Sequence, residues 1–191
     1  MMRSIAIGLL LMGLSSPAFA ESRWAIIISG ASGGEKYAEQ MTTWRNDLRA
    51  ALVDRYQFKP EFVKMFVDET AASGDKGSAE NVRKFFAEMK KTSAKDGFVF
   101  IVVIGHGTYD GNVAKFNLVG PDMTAKEWTD LIAGVQGRVV VVNTTEASFP
   151  FLETLTAKGR VVITATDSAA QKYATVFPEY FVKSMKEAST D

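Results

Sequence analysis

The chain has 191 residues, with 22 basic against 22 acidic side chains, a length that argues for one domain able to bury a sizeable core. Its balanced charge, with no basic run and no basic stripe interleaved with aromatics, argues against a nucleic-acid partner. A chain with no cysteine and one histidine has no disulfide and no thiol chemistry, and it offers a poor donor set for zinc.

Residues 1–20 read as a signal peptide. Arg3 gives a short basic start, 5–14 (IAIGLLLMGL) is an apolar run, and Ala18-Phe19-Ala20 is a small-x-small cleavage site. That run falls short of the roughly 20 apolar residues of a spanning helix. The expectation is an exported protein, periplasmic or extracellular, with residues 21–191 as its domain and no membrane span after cleavage.

The elements then alternate. Residues 23–30 (RWAIIISG) read as a buried strand bounded by glycine, and 35–56 as a helix with Tyr37, Met41, Trp44, Leu48 and Leu52 at three- and four-residue spacing. A second strand is predicted at 61–67 and a polar loop at 68–77. Ser78 caps a helix to Thr92, with Val82, Phe85, Phe86 and Met89 facing inward. Residues 98–104 (FVFIVVI) are a continuous apolar run, which suits the centre of a parallel sheet covered on both faces. After a loop at 105–113, Thr124-Ala-Lys-Glu127 is a capping box opening a helix through Val135. Strands at 138–142 and 160–164 flank a helix near 147–158, and Pro178 opens a last helix to Ala188.

Strands alternating with helices imply an α/β fold with a mostly parallel sheet. In such sheets the functional crevice lies beyond the carboxyl ends of the strands. That rule selects residues 30–34, 105–111 and 143–148 as one rim. His106 stands there between Gly105 and Gly107, placed either as a general base or acid or as a capping histidine at a strand end.

The segment FVFIVVIGHGTYDG resembles the histidine strand of the legumain/caspase-like peptidases, in which a central strand ends in a His-Gly pair. RWAIIISGASG resembles that superfamily's first strand, VVVVNTTEAS its nucleophile strand, and RVVITATD the strand after it, all in the family's order. The resemblance implies a caspase-like three-layer α/β/α sandwich. It also implies His106 as the catalytic histidine, Gly107 as an oxyanion-hole donor, and Thr145 in place of the cysteine nucleophile.

A threonine hydroxyl is far less acidic than a thiol and cannot supply the thiolate this chemistry uses. The arginine that reads an acidic or amide side chain in legumain-type enzymes is replaced too, since Ala38 stands at that position. The sequence therefore reads as a pseudopeptidase that binds a peptide or protein through His106, Gly107, Asn143, Thr144, Thr145 and Ser148, with no cofactor and no metal. The alternative is a hydrolase using Thr145 or Ser148 with His106 as base. No G-x-S-x-G elbow occurs, and Asp110, the acidic residue closest in sequence to His106, reads as a turn cap. Phe149-Pro-Phe151 replaces a small-residue run, which implies either a narrowed cleft or a packing role. Gly30-Ala-Ser-Gly-Gly34 resembles a dinucleotide turn, but Lys36 occupies a glycine position and no Tyr-x-x-x-Lys pair occurs.

Overall fold

The computed structural model describes residues 23–68 and 74–188. The signal peptide expected at 1–20 lies outside them. In chain order the elements are β1 (Arg23–Ser29), α1 (Glu35–Asp54), β2 (Val63–Val67), β3 (Asp75–Lys76), α2 (Ala79–Thr92), β4 (Phe98–Ile104), β5 (Gly107–Tyr109), β6 (Ala114–Phe116), β7 (Met123–Thr124), α3 (Ala125–Ile132), β8 (Arg138–Asn143), α4 (Phe149–Leu155), β9 (Arg160–Thr164) and α5 (Phe177–Glu187).

Six strands form one sheet in the order β3-β2-β1-β4-β8-β9, and every pairing in it is parallel. The apolar β4 lies between β1 and β8, where both its faces are covered. Side chains alternate across the sheet. Ile26, Ile28, Ile101, Val103 and Val141 pack on one face against Val82 and Phe86 of α2, Trp128 of α3 and Phe151 of α4. Ala25, Ile27, Phe100, Val102 and Ile104 pack on the other against Met41, Leu48 and Leu52 of α1 and Val182 of α5. The chain is an α/β/α three-layer sandwich with an all-parallel central sheet, the architecture expected of a caspase-like domain.

Local chemistry sets the element ends. Ser78 accepts a bond from the Asn81 amide at the start of α2. The predicted capping box is complete: Thr124 Oγ1 accepts from the Glu127 amide, and the Glu127 carboxylate accepts from the Thr124 amide. Three expectations change. The second strand starts at Val63 because Pro60–Phe62 form a single 3-10 turn. The loop predicted at 105–113 contains β5, which pairs antiparallel with β6, and β6 pairs with β7, giving a small second sheet. The helix predicted from Ala147 starts at Phe149 instead, because Ala147 takes a left-handed backbone (φ 49°).

The order of the sheet places the functional crevice. Successive strands leave β1 in opposite directions, β2 on one side and β4 on the other, so the sheet reverses its winding between β1 and β4. Ligand crevices in parallel sheets lie at this reversal, beyond the carboxyl ends. Ser32 follows β1 there, and His106 follows β4.

Candidate functional site

Three chain segments meet at the reversal, and His106 ties them together. Its Nδ1 lies 2.9 Å from Glu146 Oε1, at the exit of β8. Its Nε2 lies 3.0 Å from the Ser32 carbonyl oxygen, in the turn after β1. The Tyr37 ring of α1 packs edge-on to the imidazole, with centroids 4.8 Å apart. The three rim segments selected from the sequence do converge.

Both ring nitrogens face acceptors. A neutral imidazole has one N–H and can satisfy only one of them, whereas the imidazolium donates to both. The geometry is built for the cation. The His106 pKa is accordingly raised, first through the hydrogen bond to Glu146 and then through the charge of Glu146 and the bond to Ser32, against the opposing effect of burial. The His106 side chain is 22% exposed and that of Glu146 9%.

The hydroxyl positions named from the sequence are occupied within the fold. Thr145 is fully buried (0% exposed). Its Oγ1 lies 2.8 Å from Asn143 Oδ1 and 3.0 Å from the Glu146 carbonyl oxygen, so its proton always has an internal acceptor. Thr144 Oγ1 donates to the Val103 carbonyl (2.9 Å). Asn143 Oδ1 also accepts from the Thr145 amide (3.1 Å). Ser148 Oγ accepts from the amides of Ala165 (3.1 Å) and Thr166 (3.2 Å) and lies 3.1 Å from Thr166 Oγ1, clamping the β8 exit to the end of β9. Among the described residues no hydrogen bond joins His106 to Thr145. The expected rim of free hydrogen-bonding groups is thus corrected at Asn143, Thr144, Thr145 and Ser148, which hold the turn together.

Gly107 is buried under that turn. A Cβ there would run into the Glu146 carbonyl oxygen and lie 2.7 Å from Thr145 Oγ1, so only glycine fits. Asp110 caps a turn, as the sequence suggests. It accepts from the amides of Val113 (2.8 Å) and Asn112 (2.9 Å), and these bonds hold its carboxyl below the usual carboxylate range. The acidic partner of His106 is Glu146. Sequence reasoning passed over it, although an acidic residue one position after the nucleophile-equivalent Thr145 was the available signal.

A cavity of about 200 Å³ opens beside His106 and Glu146, walled by Tyr37, Gln40 and Trp44 of α1 and by Thr175, Val176 and Glu179 at the start of α5. Ala38, at the expected arginine position, is not among its lining residues, and no arginine takes its place. A groove of about 540 Å³ between α1 and α5 shares Gln40, Trp44 and Glu179 with this cavity. Phe149 lines a different groove, beside Thr164–Asp167, and Phe151 is buried in the core, so neither fills the His106 cavity. Gly30 does not form a phosphate turn: a Cβ there would overlap the Asn117 carbonyl, which accepts from the Ala31 amide (3.0 Å). Among the described residues no group of three His, Asp or Glu side chains could hold a metal ion, and no helix is long and apolar enough to cross a membrane.

Replacing Ser148 with alanine removes the acceptor for two backbone amides. The expected loss is about 1–3 kcal/mol, read as a shift of the urea midpoint at unchanged slope. If Ser148 were instead a free nucleophile, the same change would leave stability nearly unaltered. No family model matches the chain, and no curated protein matches it.

Proposed function

We propose that this chain is an exported, noncatalytic relative of the legumain/caspase-like peptidases that binds a peptide or protein partner at the His106 cavity. The observation that carries the reading is the engagement of His106. A general base needs a neutral ring with one nitrogen free for the proton it takes. Here both nitrogens face acceptors, and the nearby hydroxyls are turned inward. A fixed imidazolium is a donor and a positive charge, which suits recognition.

The surroundings support binding. Tyr37 and Val176 border the cavity and are exposed, and Tyr173 and Tyr180 are exposed close by in sequence. Aromatic side chains with one polar end are favoured anchors in interfaces. The cavity is smaller than the roughly 300–1,000 Å³ of drug-sized pockets, so it suits one side chain of a partner. The groove between α1 and α5 then offers a path for the chain on either side of that residue.

The test combines turnover with binding. The purified protein is incubated with a broad peptide library and the products are read by mass spectrometry. The lone histidine gives one set of imidazole NMR signals, which reports occupancy of the cavity. The expected result is no cleavage, with His106 resonances displaced by those peptides that bind. Cleavage that disappears in His106→Ala would sink the reading and restore a hydrolase working through Thr145 or Ser148.

A further inference from the structure

The outer edge of the sheet beside β9 carries a second functional feature, distant in the sheet from β1 and independent of the reading of His106. Among the described strands none pairs with that edge. Val161 and Ile163 on it are 48% and 38% exposed, an unusual display for the valine and isoleucine of a sheet strand. An exposed apolar edge is an open template for pairing, and β9 has neither proline nor lysine within it to prevent this.

The backbone pattern is fixed by the ladder with β8. The Val139 amide donates to the Gly159 carbonyl (3.1 Å), and the Ala165 amide donates to the Asn143 carbonyl (3.0 Å). In a strand, alternate residues turn their N–H and C=O to the same side. Gly159, Val161, Ile163 and Ala165 therefore turn theirs to β8, while Val162 and Thr164 present theirs to the outside. The Arg160 amide is already spent on the Ala157 carbonyl (3.1 Å), leaving its C=O outward.

We infer that β9 pairs antiparallel with β9 of a second copy of this chain, about a two-fold axis at Val162. In that register Val162 exchanges both bonds with its own copy, and each Thr164 N–H meets an Arg160 C=O. The N–H that Arg160 lacks is the one local bond already taken, so the edge has a complete set of partners. Val161 of one copy falls opposite Ile163 of the other, in the close non-bonded positions where apolar pairs stabilise a sheet.

The charges agree with this direction. Exposed Lys158 precedes the strand and exposed Asp167 follows it. Antiparallel pairing brings each lysine beside the aspartate of the other copy, whereas parallel pairing would bring like charges together. A self-complementary patch of this kind closes as a dimer and exposes no further edge. The two-fold match of bonds, apolar pairs and charges favours a second copy over an unrelated extended peptide, which would need none of these symmetries.

The absence of cysteine makes the register directly testable. Sedimentation equilibrium of the purified chain should give twice the chain mass. In the dimer, Val162→Cys sits on the axis, where a hydrogen-bonded pair has a Cα separation of about 5.5 Å, within disulfide range. It should cross-link under mild oxidation. Thr164→Cys alone should not, because its two copies lie about 13 Å apart along the strands, but Thr164→Cys mixed with Arg160→Cys should. The surface change Val161→Lys with Ile163→Lys should keep the circular dichroism spectrum and weaken the dimer by at least about tenfold. A chain that stays monomeric at about 100 µM overturns the inference, whatever peptide it then binds. So does a dimer in which Thr164→Cys cross-links as fast as Val162→Cys. Neither outcome bears on peptide cleavage, so failure here is distinguishable from failure at His106.

Discussion

Replacing Gly107 with alanine is expected to be among the most damaging single-methyl changes in this protein. The added carbon has no free volume, because it meets the Glu146 carbonyl oxygen and Thr145 Oγ1 on the underside of the β8 exit. These atoms cannot retreat cheaply. Thr145 is held by Asn143, the Ala147 amide donates to the Gln171 carbonyl (2.8 Å), and Ser148 is bonded to the end of β9. Forcing atoms into such a site costs typically about 1–3 kcal/mol, and the rigid polar neighbours place this case at the upper end. For a domain of this size that corresponds to a melting temperature lower by about 6–12 °C. Calorimetry of Gly107→Ala checks it. A drop of under a degree or two would mean that the β8 exit is loose, and the account of Thr145 as a locked structural residue would fall with it.

The second large effect concerns the ion pair. Glu146→Gln keeps an acceptor near His106 Nδ1 but removes the carboxylate charge. The His106 pKa should fall from its raised value back toward 6.5, since the bond to Glu146 is the foremost cause of the rise and its charge adds to it. Linkage gives the stability consequence. A histidine whose folded pKa lies above 6.5 contributes stability that is full below that pH and is lost as pH rises through the folded value. The wild type should therefore lose stability between slightly acid and alkaline pH, while Glu146→Gln shows a flatter profile. At pH 6 the variant should be less stable by about 1–3 kcal/mol, the range for a hydrogen bond to a charged group with little access to solvent. Above the folded pKa the difference should close or change sign, because wild-type Glu146 then keeps a poorly hydrated charge without its cation. NMR titration of the one histidine and urea unfolding at two pH values read both effects. An unchanged His106 pKa in Glu146→Gln would show that the pair is incidental.

Much of the fold was legible in the sequence because burial imposes periodicity. The run at β4 is apolar at every position since both faces are covered, and α1 repeats its apolar residues at helical spacing since one face is covered. Capping chemistry placed the starts of α2 and α3 at Ser78 and Thr124. The small antiparallel sheet was not legible. Its strands are two or three residues long, too short to show alternation, and they exist because the Asp110 turn folds 107–109 back onto 114–116.

The position of the site followed from the rule for parallel sheets, but the roles of its residues did not. His106 was identified by its place after the central strand, whereas its partner depended on one backbone conformation. The left-handed turn at Ala147 separates Glu146, whose carboxylate reaches His106, from Ser148, whose hydroxyl is directed to the end of β9. Without that conformation the order Thr-Glu-Ala-Ser offers no basis for choosing which side chain faces the cavity.

By itself the sequence determined the layered α/β architecture, the gathering of three loops at one rim, and the absence of any thiol nucleophile. Hydrophobic patterning and composition suffice for these, because they depend on what each residue is. Only the tertiary structure decided that His106 is held between two acceptors, that Thr145 and Ser148 point inward, and that β9 presents an unpaired apolar edge. Hydrogen bonding is short-ranged and directional, so these features depend on where distant segments finally lie, to within a fraction of an ångström.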